Sequence, residues 1–219
     1  REEMLAEIYN ALRILYGQPP KTFDFEYTDT DKVYHCDRGL TPKSFLEKYV
    51  DNDFDDYVVI ISSPIHEINR TYCQPFMGDV VEDNMFWLNL SQEELEDLTI
   101  RQLQAGEGVM FSCDCHPDGD RANGYWDPDC FQYGEVLGGL TFHMTKAERL
   151  LTRDSTMNHC MMFCGVNLEE NGTANRWKIE NSWGDASGQK GYFIGSEKWF
   201  KANVYPVSYT HLRAHETCA

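Results

Sequence analysis

The sequence predicts an α+β fold, because a segment with both helical and strand patterns precedes a last third that is dominated by strand patterns. Two capping boxes, Ser91 to Glu94 and Thr145 to Glu148, mark helix starts at which hydroxyl and carboxylate groups satisfy free backbone amides. Beyond Met157 the chain carries apolar segments separated by polar turns, which is typical of strands.

An amphipathic helix is predicted at the start of the chain. Its apolar residues recur at steps of three and four, so they share one face that we expect to pack: Met4, Leu5, Ile8, Leu12 and Leu15. The segment from Gly17 to Pro20 ends this helix. Alternating aromatic residues then predict a short strand after Thr22. A second helix begins with Thr41 as N-cap and Pro42 at the first helical position.

The middle and last thirds of the chain supply the remaining elements. Tyr57 to Ile61 is compact and β-branched, which predicts a buried strand. The helix after Ser91 ends at Gly106, and a strand then leads into a polar loop over residues 112–125. Three further strands are predicted at Met157–Val166, Arg176–Trp183 and Tyr192–Ser196. We therefore expect a β-rich subdomain over about residues 107–207, with no linker dividing the chain.

Composition excludes several classes of protein. The 219 residues include 36 Asp or Glu and 19 Lys or Arg, giving a formal charge of −17, and without a basic cluster nucleic-acid binding is not expected. No apolar stretch approaches the ~20 residues that cross a bilayer. The eight cysteines lie in a long chain without a signal peptide, so we expect reduced thiols in a cytoplasmic protein. Because Arg1 stands where Met would, we also expect the interior of a longer gene product.

Two segments of the last third carry candidate catalytic residues. His159 and Asn181 lie 22 positions apart, on consecutive predicted strands. If they pair directly, the hairpin turn centres on residue 170, within a polar stretch that includes Asn171-Gly172. The same register places four apolar residues on the face that carries His159, namely Met161 opposite Ile179 and Phe163 opposite Trp177.

An imidazole and a carboxamide at the polar end of an apolar face suit nucleophilic catalysis. The carbonyl oxygen of Asn181 accepts one ring N–H, which leaves the other nitrogen of His159 for a nucleophile. A thiolate paired with a protonated histidine has a lowered pKa and exists at neutral pH. Trp183 is placed to shield the hydrogen bond from water. A lone histidine would more simply be a hydrogen-bonded core residue, but the surrounding motif favours catalysis.

The motif resembles the histidine and asparagine segments of papain-type cysteine peptidases. The matching segments are Met157–Met161, Asn181-Ser182-Trp183-Gly184 and Gly188–Tyr192. Further segments resemble the aminopeptidase C and bleomycin hydrolase family specifically: Tyr16–Phe23, Leu40–Lys43, Asp56–Ile60, Trp177–Asn181 and Trp199-Phe200. The resemblance runs from about residue 2 to Val207.

The resemblance implies a papain-like fold and a cytoplasmic, thiol-dependent aminopeptidase. It implies that His159 is the general base and acid, that Asn181 orients it, and that Trp183 covers the pair. It further implies peptide substrates and a homo-oligomer, a hexamer in the family, without membrane association. No cofactor and no metal are expected.

Two departures from the family pattern limit this assignment. The family nucleophile lies in a Gly-x-Cys-Trp segment, and none of the eight cysteines is followed by Trp. We therefore expect that the chain is the C-terminal portion of such an enzyme, that its partner is the missing N-terminal half, and that it is inactive alone. The alternative is a non-catalytic, peptidase-like binding or scaffold subunit. The second departure is residues 208–219, which match no part of the family's C-terminal arm and are predicted to be a non-native or unstructured tail.

One further motif carries a metal alternative. Cys113-Asp114-Cys115-His116 offers thiolate and imidazole ligands. However, its spacing is not that of a zinc finger, and no second ligand pair follows at a suitable distance.

Overall fold

The computed structural model describes residues 1–50, 57–74, 85–142 and 144–209. The chain forms two compact units, Arg1–Asp53 and Phe54–Ala219. The boundary between the two units falls at a point where the sequence analysis predicted no linker.

The first unit contains two helices and a two-stranded antiparallel sheet. Its elements are α1 (Glu2–Tyr16), β1 (Phe23–Thr28), β2 (Tyr34–Leu40) and α2 (Pro42–Tyr49). Aromatic rings of β1 and α2 pack together, with Phe25 edge-on to Phe45 at 4.9 Å and to Tyr49 at the same distance. Helix α1 forms as predicted, but none of its side chains is buried, so the expected packing of its apolar face is wrong for this chain.

The second unit is built on one mixed ten-stranded sheet. Its strands are β3 (Val58–Ile61), β4 (Arg70–Gln74), β5 (Met85–Asn89), β6 (Val109–Cys113), β7 (Gly119–Asp120), β8 (Tyr125–Trp126), β9 (His159–Leu168), β10 (Ala174–Glu180), β11 (Tyr192–Ser196) and β12 (Val204–Tyr209). They are ordered β4-β5-β3-β12-β6-β9-β10-β11-β8-β7 across the sheet. Most neighbours are antiparallel, but β3 with β5 and β11 with β8 are parallel.

The helical elements of the second unit that the structure describes are α3 (Gln92–Gln104), a 3₁₀ turn (Pro128–Cys130), α4 (Tyr133–Val136), α5 (Lys146–Thr152) and α6 (Glu197–Asn203). Of these, α3 and α5 begin at the predicted caps, whereas the 3₁₀ turn, α4 and α6 were not predicted. Both predicted capping boxes are present: Glu94 N donates to Ser91 Oγ at 3.1 Å, and Glu148 N donates to Thr145 Oγ1 at 3.2 Å. The predicted α+β class is confirmed.

The sheet extends beyond the predicted subdomain at both ends. It begins at β3, well before residue 107, because β12 returns between β3 and β6 and joins β3, β4 and β5 to the rest. Strand β12 also continues through Tyr209, two residues past the predicted boundary at Val207. Residues 210–219, most of the predicted tail, lie outside the described residues.

Aromatic side chains fill the core between the sheet and helix α6. Phe111 and Phe163 stack with ring centroids 3.7 Å apart, and Trp177 stacks on Phe200 at 4.3 Å. All four side chains are essentially inaccessible to water. The burial of their apolar area stabilises the second unit.

A partly buried cluster of two glutamates and one lysine links α3 to α6. Lys201 Nζ lies 3.4 Å from Glu96 Oε2 and 3.0 Å from Glu197 Oε1. Burial, and then the nearby charge of Glu197, raise the pKa of Glu96 to about 7. Glu197 is held in place because Trp177 Nε1 donates to its Oε2 at 2.8 Å.

The hairpin that carries the candidate catalytic residues forms in a different register from the prediction. Ile179 pairs with Phe163, not Met161, and Trp177 pairs with Val166, not Phe163. An irregularity between Lys178 and Ile179 adds one residue to β9. At the catalytic end the shift is two residues, and since side chains alternate with a period of two, the same side chains still face the core.

No helix in the described part of the chain is long and apolar enough to cross a bilayer.

Candidate active site

His159 is the first residue of β9 and pairs with Cys113 at the end of β6. Because β9 is an inner strand between β6 and β10, the sheet fixes the backbone of His159, and its side chain at the start of that strand is partly buried. The residues that follow on this face, Met161 and Phe163, are buried in the core. The buried side chains of Met161 and Phe163 thus hold the strand in the core and fix the position of the imidazole at its start.

The predicted hydrogen bond between His159 and Asn181 is present. His159 Nε2 lies 2.8 Å from Asn181 Oδ1. Asn181 follows the last residue of β10, and its backbone N donates to Gly191 O at 3.0 Å. The same Oδ1 accepts a bond from Ser182 N at 2.8 Å, which fixes the amide oxygen toward the imidazole. Because an oxygen faces Nε2, that nitrogen carries the proton and Nδ1 is left for another group.

Trp183 covers the pair. Its ring stacks on His159 with centroids 5.0 Å apart and an interplanar angle of 20°. The Trp183 ring also packs edge-on against Phe193, with ring centroids 5.7 Å apart, and the Arg121 guanidinium lies 4.8 Å from the Trp183 ring centroid. Excluding water from the imidazole–amide bond strengthens that bond. Arg121 was missed by sequence analysis, since no periodicity relates the loop after β7 to the loop after β10.

The loop from Asn181 to Tyr192 depends on glycine. Gly188 has φ +58°, and a Cβ at this position would lie 2.5 Å from Tyr192 O. Gly184 has φ +83°, but a Cβ there would meet nothing within 4 Å. The chain therefore turns tightly at Gly188, and this turn returns it to β11 beside the histidine.

A cavity of about 1020 Å³ adjoins His159. Its walls come from β3, β6, β12 and the segment before β9, and they include Ile61, Met110, Met157 and Val207. The wall is largely apolar, with Ser112 and Asn158 among its polar groups. A cavity of this size and chemistry suits a small molecule or part of a peptide.

No cysteine thiol in the described part of the chain is hydrogen-bonded to His159. Cys113 lies opposite it in the ladder but is fully buried, and burial raises the pKa of its thiol. Cys160 alternates to the other face, where its Sγ lies 2.9 Å from Ser112 Oγ. Seven cysteines are described, and all are free.

The segment from Cys113 to His116 is not arranged as a metal site. Among the described residues, no group of three or more His, Cys, Asp or Glu side chains is placed to hold a metal ion. Cys113 and Cys115 are buried, and Asp114 is engaged by hydrogen bonds from neutral side chains.

Comparison with known proteins places the chain in a family. Residues 1–215 match the Peptidase C1-like family. The chain is 44% identical over 213 residues to Aminopeptidase G of Lactobacillus delbrueckii subsp. lactis, covering 94% of this chain and 47% of that protein. It is 39% identical over 210 residues to Aminopeptidase C of Listeria innocua, again covering 94% of this chain and 47% of the relative.

A solved structure extends this similarity to the fold. The crystal structure of PepW from Lactobacillus rhamnosis HN001 is matched with a TM-score of 0.90 at 42% identity, over 95% of this chain and 47% of that one. The chain therefore spans about half the length of the relatives it matches.

Proposed function

The chain belongs to the Peptidase C1-like family, and on that premise we propose that it provides the histidine and asparagine of a thiol-dependent aminopeptidase. The observation that carries the proposal is the 2.8 Å bond from His159 Nε2 to Asn181 Oδ1, which leaves Nδ1 for a thiol. Relatives named Aminopeptidase G and Aminopeptidase C support removal of N-terminal residues from peptides. Bleomycin hydrolase-like specificity is part of the same proposal.

The proposed reaction is acyl transfer to sulfur. A thiol transfers its proton to His159 Nδ1, and the resulting thiolate attacks the scissile carbonyl carbon. The imidazolium, held by Asn181, then donates that proton to the departing amine as the C–N bond breaks. Water next attacks the thioester while His159 accepts its proton, and the acid product leaves as the thiol is restored.

We propose that the thiol lies in the portion of the protein that this chain does not span. None of its cysteines lies in a Gly-x-Cys-Trp segment. Cys113 is buried and Cys160 faces away from the imidazole, so neither is placed as a nucleophile. On this proposal the chain is inactive alone, and its partner is the N-terminal half of the enzyme, which the chain does not span.

The setting proposed for the enzyme follows from the same resemblance. We propose a cytoplasmic homo-oligomer, a hexamer by analogy with the family, acting on peptides. Gel filtration with light scattering of the full-length protein measures its oligomeric state directly.

The test is to read the genomic locus upstream of Arg1 and to express the extended polypeptide. We expect a Gly-x-Cys-Trp segment there, and hydrolysis of an aminoacyl fluorogenic substrate by the extended protein. His159→Ala should abolish turnover while the elution volume on gel filtration is unchanged. A different residue at the cysteine position would favour the non-catalytic binding or scaffold alternative, and full activity of His159→Ala would overturn the proposal.

A further inference from the structure

Asn158, the residue before His159, forms hydrogen bonds with three consecutive residues at the end of β6. Its backbone N donates to Cys113 O at 3.0 Å. Its side-chain Oδ1 accepts a bond from Cys115 N at 3.0 Å, and its Nδ2 donates to Asp114 Oδ1 at 2.6 Å. The entry of the chain into β9 is thus held by three bonds immediately before the imidazole.

Asp114 is the centre of this network and is buried, with only 3% of its surface exposed. Its second oxygen, Oδ2, accepts a bond from Ser155 Oγ at 2.8 Å, and that hydroxyl lies 2.7 Å from Tyr205 OH. Within the described residues, no Lys or Arg forms an ion pair with Asp114. Asp114 Oδ1 also accepts a bond from His116 N at 3.2 Å, and the Arg149 guanidinium reaches the Ser155 hydroxyl, with Nη2 at 3.4 Å from Oγ. A buried carboxylate is costly to desolvate, so the bond from Asn158 is one of three direct contacts that hold its charge.

The orientation of the Asn158 amide is fixed by its neighbours. A backbone N–H, that of Cys115, faces one side of the amide, so that side is the oxygen. The amide nitrogen therefore faces Asp114 Oδ1, and also His116 Nδ1 at 3.1 Å. Since the amide donates, the facing nitrogen of His116 accepts. An aspartate at position 158 would therefore place a carboxylate oxygen against Asp114 Oδ1, where the amide nitrogen now donates.

His159 is consequently held from two sides. Asn181 fixes its ring through Nε2, while Asn158 and Asp114 fix its backbone where it pairs with Cys113. We propose that Asn158 and Asp114 are positioning residues for His159, acting through the backbone to keep Nδ1 aimed at the reacting sulfur. This inference rests on the proposed peptidase function. A displacement of about 1 Å in such a group lowers the rate by about 100-fold.

The geometry allows a swap experiment. Asn158→Asp alone places two carboxylates together, whereas Asn158→Asp combined with Asp114→Asn restores one donor and one acceptor. In the double variant the amide at position 114 keeps an oxygen for Ser155 and turns its nitrogen toward position 158. That nitrogen also faces His116 N, which loses the acceptor that it has at 3.2 Å, so the exchange restores the contact with position 158 but not the one with His116. Both variants preserve side-chain size, so packing in the network is matched.

The variants are made in the extended, full-length polypeptide, and turnover is divided by the active fraction titrated with a thiol-reactive inhibitor. We expect Asn158→Asp to lower kcat by about tenfold or more, with KM within about twofold, and to shift the pH profile of kcat/KM. The double variant should raise kcat at least about threefold above that of Asn158→Asp, with the lost acceptor for His116 N preventing full recovery. A purely structural role would change the active fraction but not the pH profile of the active molecules.

The outcomes separate this inference from the proposed function. An unchanged kcat and pH profile in Asn158→Asp, with His159→Ala inactive, would overturn the positioning role alone. Activity retained in His159→Ala would overturn the function on which it rests. If Asn158→Asp does not fold, Asn158→Ala is judged by the same two readouts, because alanine removes the amide without adding a charge beside Asp114.

Discussion

Removing the carboxamide of Asn181 should slow the proposed acyl transfer strongly without weakening substrate binding. In Asn181→Ala the Nε2–H of His159 loses its acceptor at 2.8 Å, and Ser182 N loses the same oxygen. The bond matters most when the imidazole is protonated, since an amide oxygen stabilises the cation and directs Nδ1. The loss should therefore appear in kcat more than in KM.

The size of the effect follows from the contact. A hydrogen bond to a charged group contributes about 1.5–3 kcal/mol, which corresponds to a fall in kcat of about 10- to 160-fold. The stacked ring of Trp183 shields the bond from water, which favours the upper part of that range.

The assay is steady-state hydrolysis of an aminoacyl fluorogenic substrate by the extended polypeptide, with circular dichroism as a check on folding. Asn181→Asp is the matched control, since its carboxylate keeps an acceptor at the same position and should stabilise the imidazolium, raising the pKa read from the alkaline limb of the pH profile. A kcat for Asn181→Ala within about twofold of the wild type would refute the role assigned to this hydrogen bond.

Three further predictions concern stability. Because the folded-state pKa of Glu96 is raised to about 7 from 4.5, the folded state binds this proton more tightly, so the free energy of unfolding should fall as pH rises from about 4.5 to 7. Urea titrations at pH 5 and pH 7.5 should show a fall of about 1–3 kcal/mol that Glu96→Gln lacks, and an equal fall in both proteins would contradict this origin. Phe163→Ala removes a fully buried ring and should lower the free energy of unfolding by about 3–5 kcal/mol in the same titration; a loss below about 1 kcal/mol would mean that the ring is not a core contact. Gly188→Ala should cost about 1–3 kcal/mol more than the control Gly184→Ala, because only the former brings a Cβ against a backbone oxygen; equal losses would count against that close approach.

The features that sequence alone predicted correctly are those set by neighbours in the chain. The helix starts at Ser91 and Thr145 need only residues three positions apart, and both capping boxes formed. The contact of His159 with Asn181 was also predicted, although from a hairpin register that proved wrong. The contact forms nonetheless, because the predicted register is wrong by two residues at that end, and a shift of two leaves each side chain on the same face of the sheet.

The features that were missed depend on distant partners. Strand β12 was not predicted, and Pro206 within it argues against a central strand because proline has no N–H to donate. The structure accommodates Pro206 because the ladder with β6 is irregular between Val204 and Val207. The Asp114–Asn158 network was likewise invisible, since nothing in the local pattern relates the end of β6 to the residue before β9.

The position of β12 has a consequence for biosynthesis. It is the last strand of the chain that the structure describes, yet it lies between β3 and β6, pairing Val207 with both Ile60 and Phe111. On the ribosome, β3 and β6 emerge long before the strand that joins them, and each exposes an unpaired edge during that interval. Completion of the sheet must therefore await synthesis of nearly all the described chain, which favours slow assembly and places the nascent protein at risk of aggregation until β12 arrives.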